Sequence, residues 1–147
     1  MRAVIQNSVG GPDVLFVSEQ PDPSPGPGEV LVRVKAAGIN PVDGAVRGGF
    51  YPLLGDPPFI LGWDISGTVE ALGAGVTAVK VGDEVFGMPR FPKQAGAYAE
   101  LAATPADEIA IKPAGIDHAL LRRCRSPASP LGKALSATAA FNQASAR

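Results

Sequence analysis

Short segments of alternating apolar and polar residues, each cut off by proline or glycine, limit the folds open to this chain more than any other feature. In Glu29-Val-Leu-Val-Arg-Val-Lys35 the valines 30, 32 and 34 fall on one side, while Arg33 and Lys35 share the other with Leu31. Alternation of this kind marks a strand with one face in a core and one in water. Residues 2–6, 14–17, 65–72, 84–87, 98–102 and 108–112 are further strand candidates. Between them lie Pro21-Asp-Pro-Ser-Pro-Gly-Pro-Gly28, Gly73-Ala-Gly75 and Val81-Gly-Asp83, whose residues suit turns and stiff loops. Eighteen glycines and fifteen prolines stand against six Phe, two Tyr and one Trp, a balance that favours short strands over a helical bundle. The expected fold is mainly β, a barrel or sandwich with few helices.

One helix is expected to interrupt the strands. Asn40 can cap it, Pro41 suits the first helical position because its missing N–H has no partner there, and Asp43 sets a negative charge near the positive helix end. Gly48-Gly49 should stop it after Arg47. A strand that turns at once into a capped helix leaves Asn40 at an element end, where functional side chains are often held. No internal repeat is visible.

At 147 residues the chain is expected to form one ordinary domain. A formal charge of −1 with no block of one sign gives no electrostatic case for nucleic acid or an anionic membrane, so partners are expected to be small and neutral. Apolar runs fall far short of the ~18 residues that span a bilayer, and Met-Arg-Ala-Val-Ile is no signal peptide core, which places the chain in the cytoplasm. The single cysteine, Cys124, cannot form an internal disulfide or a thiolate zinc cluster, and the single histidine, His118, adds little toward a metal.

Three segments carry more than pattern: Lys35-Ala-Ala-Gly-Ile-Asn-Pro-Val-Asp43, Leu61-Gly-Trp-Asp-Ile-Ser-Gly-Thr-Val-Glu70 and Val81-Gly-Asp-Glu-Val-Phe-Gly-Met88. They resemble the amino-terminal, GroES-like domain of medium-chain dehydrogenases and reductases, in the zinc-independent quinone oxidoreductase branch, over residues 1–119. The resemblance implies a partly open GroES-like β-barrel. It also implies an oxidoreductase in which NADPH, bound by a second domain, passes a hydride to a quinone, enone or carbonyl in the cleft between domains. The stretch Gly87-Met-Pro-Arg-Phe-Pro92 with Gly96-Ala-Tyr-Ala-Glu100 is similar to a bacterial subgroup, where Arg90 would approach a cofactor phosphate or a neighbouring subunit; a solvated loop arginine is the plainer alternative.

By the same resemblance Asn40 is the catalytic and cofactor-side candidate, its amide donating to charge that develops on a substrate oxygen. Helix capping is its structural alternative. Tyr51 matches a position that lines the cleft and can orient a carbonyl or give a proton, against the alternative of an exposed loop tyrosine. Trp63 and Asp64 complete the proposed substrate pocket, with core packing and backbone hydrogen bonding as their alternatives. Zinc relatives have a cysteine ligand where this chain has Asn40 and Gly-His-Glu where it has Gly62-Trp-Asp64, so neither a catalytic nor a structural zinc is expected. Gly73-Ala-Gly-Val-Thr-Ala78 fails as a dinucleotide fingerprint, since Ala78 takes the third glycine and a Gly-Asp turn follows in place of a helix. The chain alone is therefore expected to bind NADPH weakly or not at all and to lack reductase activity.

Residues 120–147 do not continue the family pattern. Joining the third base of each codon from Cys124 to Gly132 with the first two of the next lets permitted codons spell Pro-Leu-Ala-Gly-Leu-Thr-Ala-Trp-Gln, a segment the resembling proteins carry at this point. A reading-frame shift near Ala119 is one reading of the tail, and a divergent segment that folds as a helix against the barrel is the other. Two alternatives to a reductase half also stand. One is a non-enzymatic GroES-like module that docks or forms homo-oligomers, and the other is a reductase domain whose nucleotide-binding partner is a separate chain.

Overall fold

The computed structural model describes residues 1–121. The reading of the tail, Cys124 included, falls almost wholly outside them. Strands β1 (Arg2–Gln6), β2 (Leu15–Glu19) and β4 (Phe59–Ile60) form a three-stranded sheet in the order β2-β1-β4. Strands β3 (Glu29–Ala37), β5 (Ile65–Leu72), β6 (Glu84–Gly87), β7 (Leu101–Pro105) and β8 (Ile109–Ile111) form a second sheet in the order β7-β3-β5-β6-β8. All pairings are antiparallel, and a lone bridge from Ala3 to Ala99 ties the two sheets. The fold is mainly β with short helices, as the alternating pattern implied, and takes the GroES-like partial barrel form that the resemblance implied.

The alternation of β3 survives folding. Val30 and Val32 are fully buried and Arg33 and Lys35 are exposed, although β-bulges between Leu31 and Val32 and between Val34 and Ala36 bend the strand. At the second bulge β5 comes so close that a Cβ on Gly67 would lie 2.1 Å from the Arg33 carbonyl oxygen. Only glycine allows that approach. The two larger apolar clusters fill most of the interior, with a smaller one around Phe86. Val30, Val32, Ile65, Val69, Val79, Val85 and Ala97 make one, and Val46, Phe59, Leu61 and Trp63 make the other beneath the helix α1 (Pro41–Arg47).

Several strands differ from expectation. The 14–17 segment pairs as Leu15–Glu19, while β4 has only two residues, too few for any period to show. The 98–102 segment moves to Leu101–Pro105 because its first residues bond elsewhere. Ala97 and Tyr98 donate to the carbonyls of Gly62 and Leu61, and the Tyr98 carbonyl accepts from Val4, so the ladder with β3 starts only at Leu101 opposite Arg33.

Arg90 is not a freely solvated loop arginine. Its guanidinium pairs with Glu29 and donates to the Ala103 carbonyl at 3.3 Å, and its backbone N–H donates to Glu108. It holds these contacts in a left-handed conformation, with φ at 62°, which an L-residue adopts only when its surroundings over-determine it.

Candidate functional site at the junction of β3 and α1

β3 ends at Ala37, and the chain crosses Gly38 and Ile39 to reach Asn40, the residue before α1, in extended backbone with φ −116° and ψ 154°. Pro41 opens the helix and Gly48 follows Arg47 at its end, as the sequence implied. Asn40 and Asp43 are arranged as a capping box, whose well-formed bond runs from the Asn40 N–H to Asp43 Oδ2 at 2.6 Å. The Asn40 carboxamide bonds across the barrel mouth, donating from Nδ2 to Asp64 Oδ2 at 2.8 Å. The Gly38 N–H donates to the Asp64 carbonyl at 3.0 Å, which locks the end of β3 to the residue before β5.

Tyr98 completes the cluster. Its hydroxyl donates to Asp43 Oδ2 at 3.0 Å, and its ring lies against Gly62. The motif Leu61-Gly-Trp-Asp64 thus serves three purposes in four residues: Leu61 and Trp63 enter the core, Gly62 leaves room for the Tyr98 ring, and Asp64 reaches Asn40. Asp43 and Asp64 are 3 % and 2 % exposed, so two carboxylates stand behind a half-buried carboxamide.

Burial raises the Asp43 carboxyl above its ordinary range, while the N–H of Asn40, the Tyr98 hydroxyl and the Gly62 amide oppose the shift. Burial, together with the Asp43 charge, likewise raises the Tyr98 phenol. An acid whose folded-state value is raised stabilises the fold when protonated and loses that contribution as pH rises through the folded value. Comparison of the wild type with Asp43→Asn, which keeps an acceptor for the Asn40 N–H, should therefore show the wild type gaining relative stability as pH falls from 7 toward 4. Urea unfolding across that range checks the sign, and a flat difference would remove Asp43 as the cause.

The other site candidates scatter. Tyr51 follows the far end of α1 with its side chain exposed and its N–H donating to the Ala45 carbonyl at 3.2 Å, while Asn40 sits at the near end. A seven-residue helix puts those ends about 10 Å apart. Trp63 is fully buried, its indole N–H donating to the Lys93 carbonyl at 2.6 Å and its ring meeting Phe91 edge-on, so the structure places it in the core and not on an open wall. A cavity of about 340 Å³ lies between β1 and β3, lined by Arg2, Val4, Val17, Lys35, Tyr98 and Glu100 among others, and touches the cluster only through Tyr98.

Sequence reasoning passed over Tyr98 as a site residue and over a second cluster at the helix α2 (His118–Leu121). There His118 Nδ1 lies 2.6 Å from Ser66 Oγ and Nε2 lies 2.8 Å from Glu84 Oε1, with Lys112 also on Glu84 at 3.0 Å. A Ser-His-Glu set invites a hydrolase reading, but Ser66 is fully buried and its hydroxyl also bonds the Val85 carbonyl, so it cannot meet a substrate. The cluster fastens α2 to the barrel. No histidine, cysteine or carboxylate group among the described residues is arranged to hold a metal ion.

Barrel topology, the Asn-Pro-Val-Asp helix start and the Leu-Gly-Trp-Asp strand start together define a GroES-like domain. The chain belongs to the alcohol dehydrogenase GroES-like domain family, whose match covers residues 26–114. It is 41 % identical over 103 residues to the quinone oxidoreductase of Rattus norvegicus, a span that covers 69 % of this chain and 30 % of that one. Among solved structures, the quinone oxidoreductase from Coxiella burnetii superposes with a TM-score of 0.79 at 32 % identity, covering 83 % of this chain and 40 % of that one. The Escherichia coli quinone oxidoreductase complexed with NADPH superposes with a TM-score of 0.75 at 33 % identity, covering 83 % and 36 %. The chain thus spans about a third of the length of the relatives it matches. No helix among the described residues is long and apolar enough to cross a membrane.

Proposed function

We propose that the chain is the substrate-side, amino-terminal domain of a cytoplasmic NADPH-dependent oxidoreductase that reduces a quinone, enone or carbonyl. The observation that carries this reading is Asn40, half-buried between β3 and α1, its carboxamide held by Asp64 and its backbone N–H by Asp43. An amide N–H held in that way can stabilise negative charge on an acceptor oxygen without a metal. Tyr51, exposed beyond the far end of α1, would line a more distant part of the cleft, and NADPH would supply the hydride from a second domain.

The described residues do not themselves fit the dinucleotide. Gly73-Ala-Gly75 lies in the connection from β5 to β6, which contains no helix, so it offers no helix N-terminus to a pyrophosphate. The 147-residue chain is therefore expected to give no saturable NADPH binding and no quinone-dependent NADPH oxidation, because hydride transfer needs reacting atoms held about 3–3.5 Å apart. Fusion of residues 1–119 to the nucleotide-binding half of a related quinone oxidoreductase should restore turnover. Asn40→Ala in that fusion should lower the rate by about 10²-fold or more if the amide meets a developing oxyanion. A folded, NADPH-binding fusion that leaves quinones, enones and carbonyls unreduced would refute the reading.

Beyond Ala119, a reading-frame shift accounts for the break with the family pattern, and sequencing the gene tests it directly. Bases that fail to encode Pro-Leu-Ala-Gly-Leu-Thr-Ala-Trp-Gln and a following nucleotide-binding pattern in the shifted frame dispose of it. Ile39 at 86 % and Phe50 at 85 % exposure flank α1 in the sequence, and a second domain would be one way to cover them. Apolar side chains left open in this way favour self-association. Ile39→Ser with Phe50→Ser should shift the chain toward monomer in size-exclusion chromatography, whereas an unchanged elution profile would place the contact elsewhere.

A further inference from the structure

The geometry points to Asp64 as a positioning residue that decides which way the Asn40 carboxamide faces and so makes Asn40 a hydrogen-bond donor toward the cleft. This rests on the reading of Asn40 as the site's polar group. A carboxamide presents an acceptor on one arm and donors on the other, and a half-turn exchanges them, so the partner decides the orientation. The partner here is a carboxylate oxygen at 2.8 Å, which only accepts. Nδ2 must face Asp64, and an inverted amide would set Oδ1 against a negative charge.

The mount behind that carboxylate is rigid. Asp64 is 2 % exposed, follows the fully buried and hydrogen-bonded Trp63, and accepts the Gly38 N–H at 3.0 Å through its own carbonyl. Asp43 takes the Asn40 N–H, so two carboxylates from two elements hold the main chain and the side chain of one residue. Among the described residues the second Nδ2–H makes no hydrogen bond, and a charge-assisted bond on the first keeps the amide from rotating. The group recognised at this point is an acceptor, such as a carbonyl or quinone oxygen.

The test uses the 15N-labelled 147-residue chain. Asn40→Ala assigns the Asn40 side-chain signals, and Asn7, whose side chain is exposed, serves as the internal control. In the wild type one Asn40 N–H should exchange with solvent at least tenfold more slowly than those of Asn7, and in Asp64→Asn both Asn40 signals should move while backbone amides away from the site stay in place. Stability gives a second measurement. Asn40→Asp opposes two carboxylates and should raise the unfolding constant at neutral pH at least tenfold, and the exchanged pair N40D/D64N should recover most of that loss. Asn40 signals that exchange like those of Asn7, or a doubly substituted chain no more stable than N40D, would overturn the proposal. Either result would leave the reductase reading intact, and an inactive fusion would leave these signals unchanged.

Discussion

Trp63→Ala is expected to remove about 3–5 kcal/mol of stability, the range for deleting a buried large aromatic side chain. Trp63 has no exposed surface, packs with Val46, Phe59 and Leu61, meets Phe91 at 5.4 Å between ring centres, and gives its indole N–H to Lys93 at 2.6 Å. Alanine would leave a cavity beneath α1 and strand the Lys93 carbonyl. A domain of this size has about 5–15 kcal/mol in total, so the loss takes a large share of it. Urea unfolding of both chains measures the difference. Trp63→Phe, which keeps most of the packing and loses the N–H, should fall between them. A Trp63→Ala chain as stable as the wild type would mean that the ring is dispensable to the core, and the pocket-wall role would then regain force.

Gly62→Ala should be nearly as damaging, for a different reason. The residue sits at φ 89°, and a Cβ there would lie 2.5 Å from Tyr98 Cδ1 and 3.0 Å from the Ala97 Cβ. Backbone strain of about 1–3 kcal/mol and a comparable overpacking penalty act together, and the Tyr98 ring must move to relieve the second. Movement of Tyr98 breaks its bond to Asp43 and loosens the Asn40 mount. The expected result is a loss of about 2–5 kcal/mol together with a change in the Asn40 side-chain signals. Tyr98→Ala added to Gly62→Ala should recover the steric part but not the strain. A double variant no better than the single one would mean that φ alone is responsible.

Parts of this architecture were legible because they are local. The period of two along β3, the Asn-Pro-Val-Asp start of α1 and its Gly-Gly stop each depend on residues within a few positions of one another, and all three stand where the pattern put them. The start of β7 was misread because the backbone groups of Ala97 and Tyr98 serve a loop 36 residues earlier in the chain, through the Ala97-to-Gly62 and Tyr98-to-Leu61 bonds, a pairing that no alternation reveals. Arg90 read as a loop arginine since nothing nearby in sequence marks Glu29 as its partner, 61 positions away.

The candidate site divides in the same way. Asn40 and Asp64 were both singled out by motif, but not the bond between them across 24 positions, and Tyr98, 55 positions from the Asp43 it bonds, was not singled out at all.

By itself, then, the order of residues determined a mainly β barrel, one capped helix and the family to which residues 26–114 belong, since period, turn chemistry and motif are short-range properties of a chain. Tertiary structure alone decided that Trp63 is core, that Arg90 clasps Glu29, and that Asn40 stands between two buried carboxylates. Those outcomes depend on which distant segments the paired sheets bring into contact, and hydrogen bonds and packing act only at that short range.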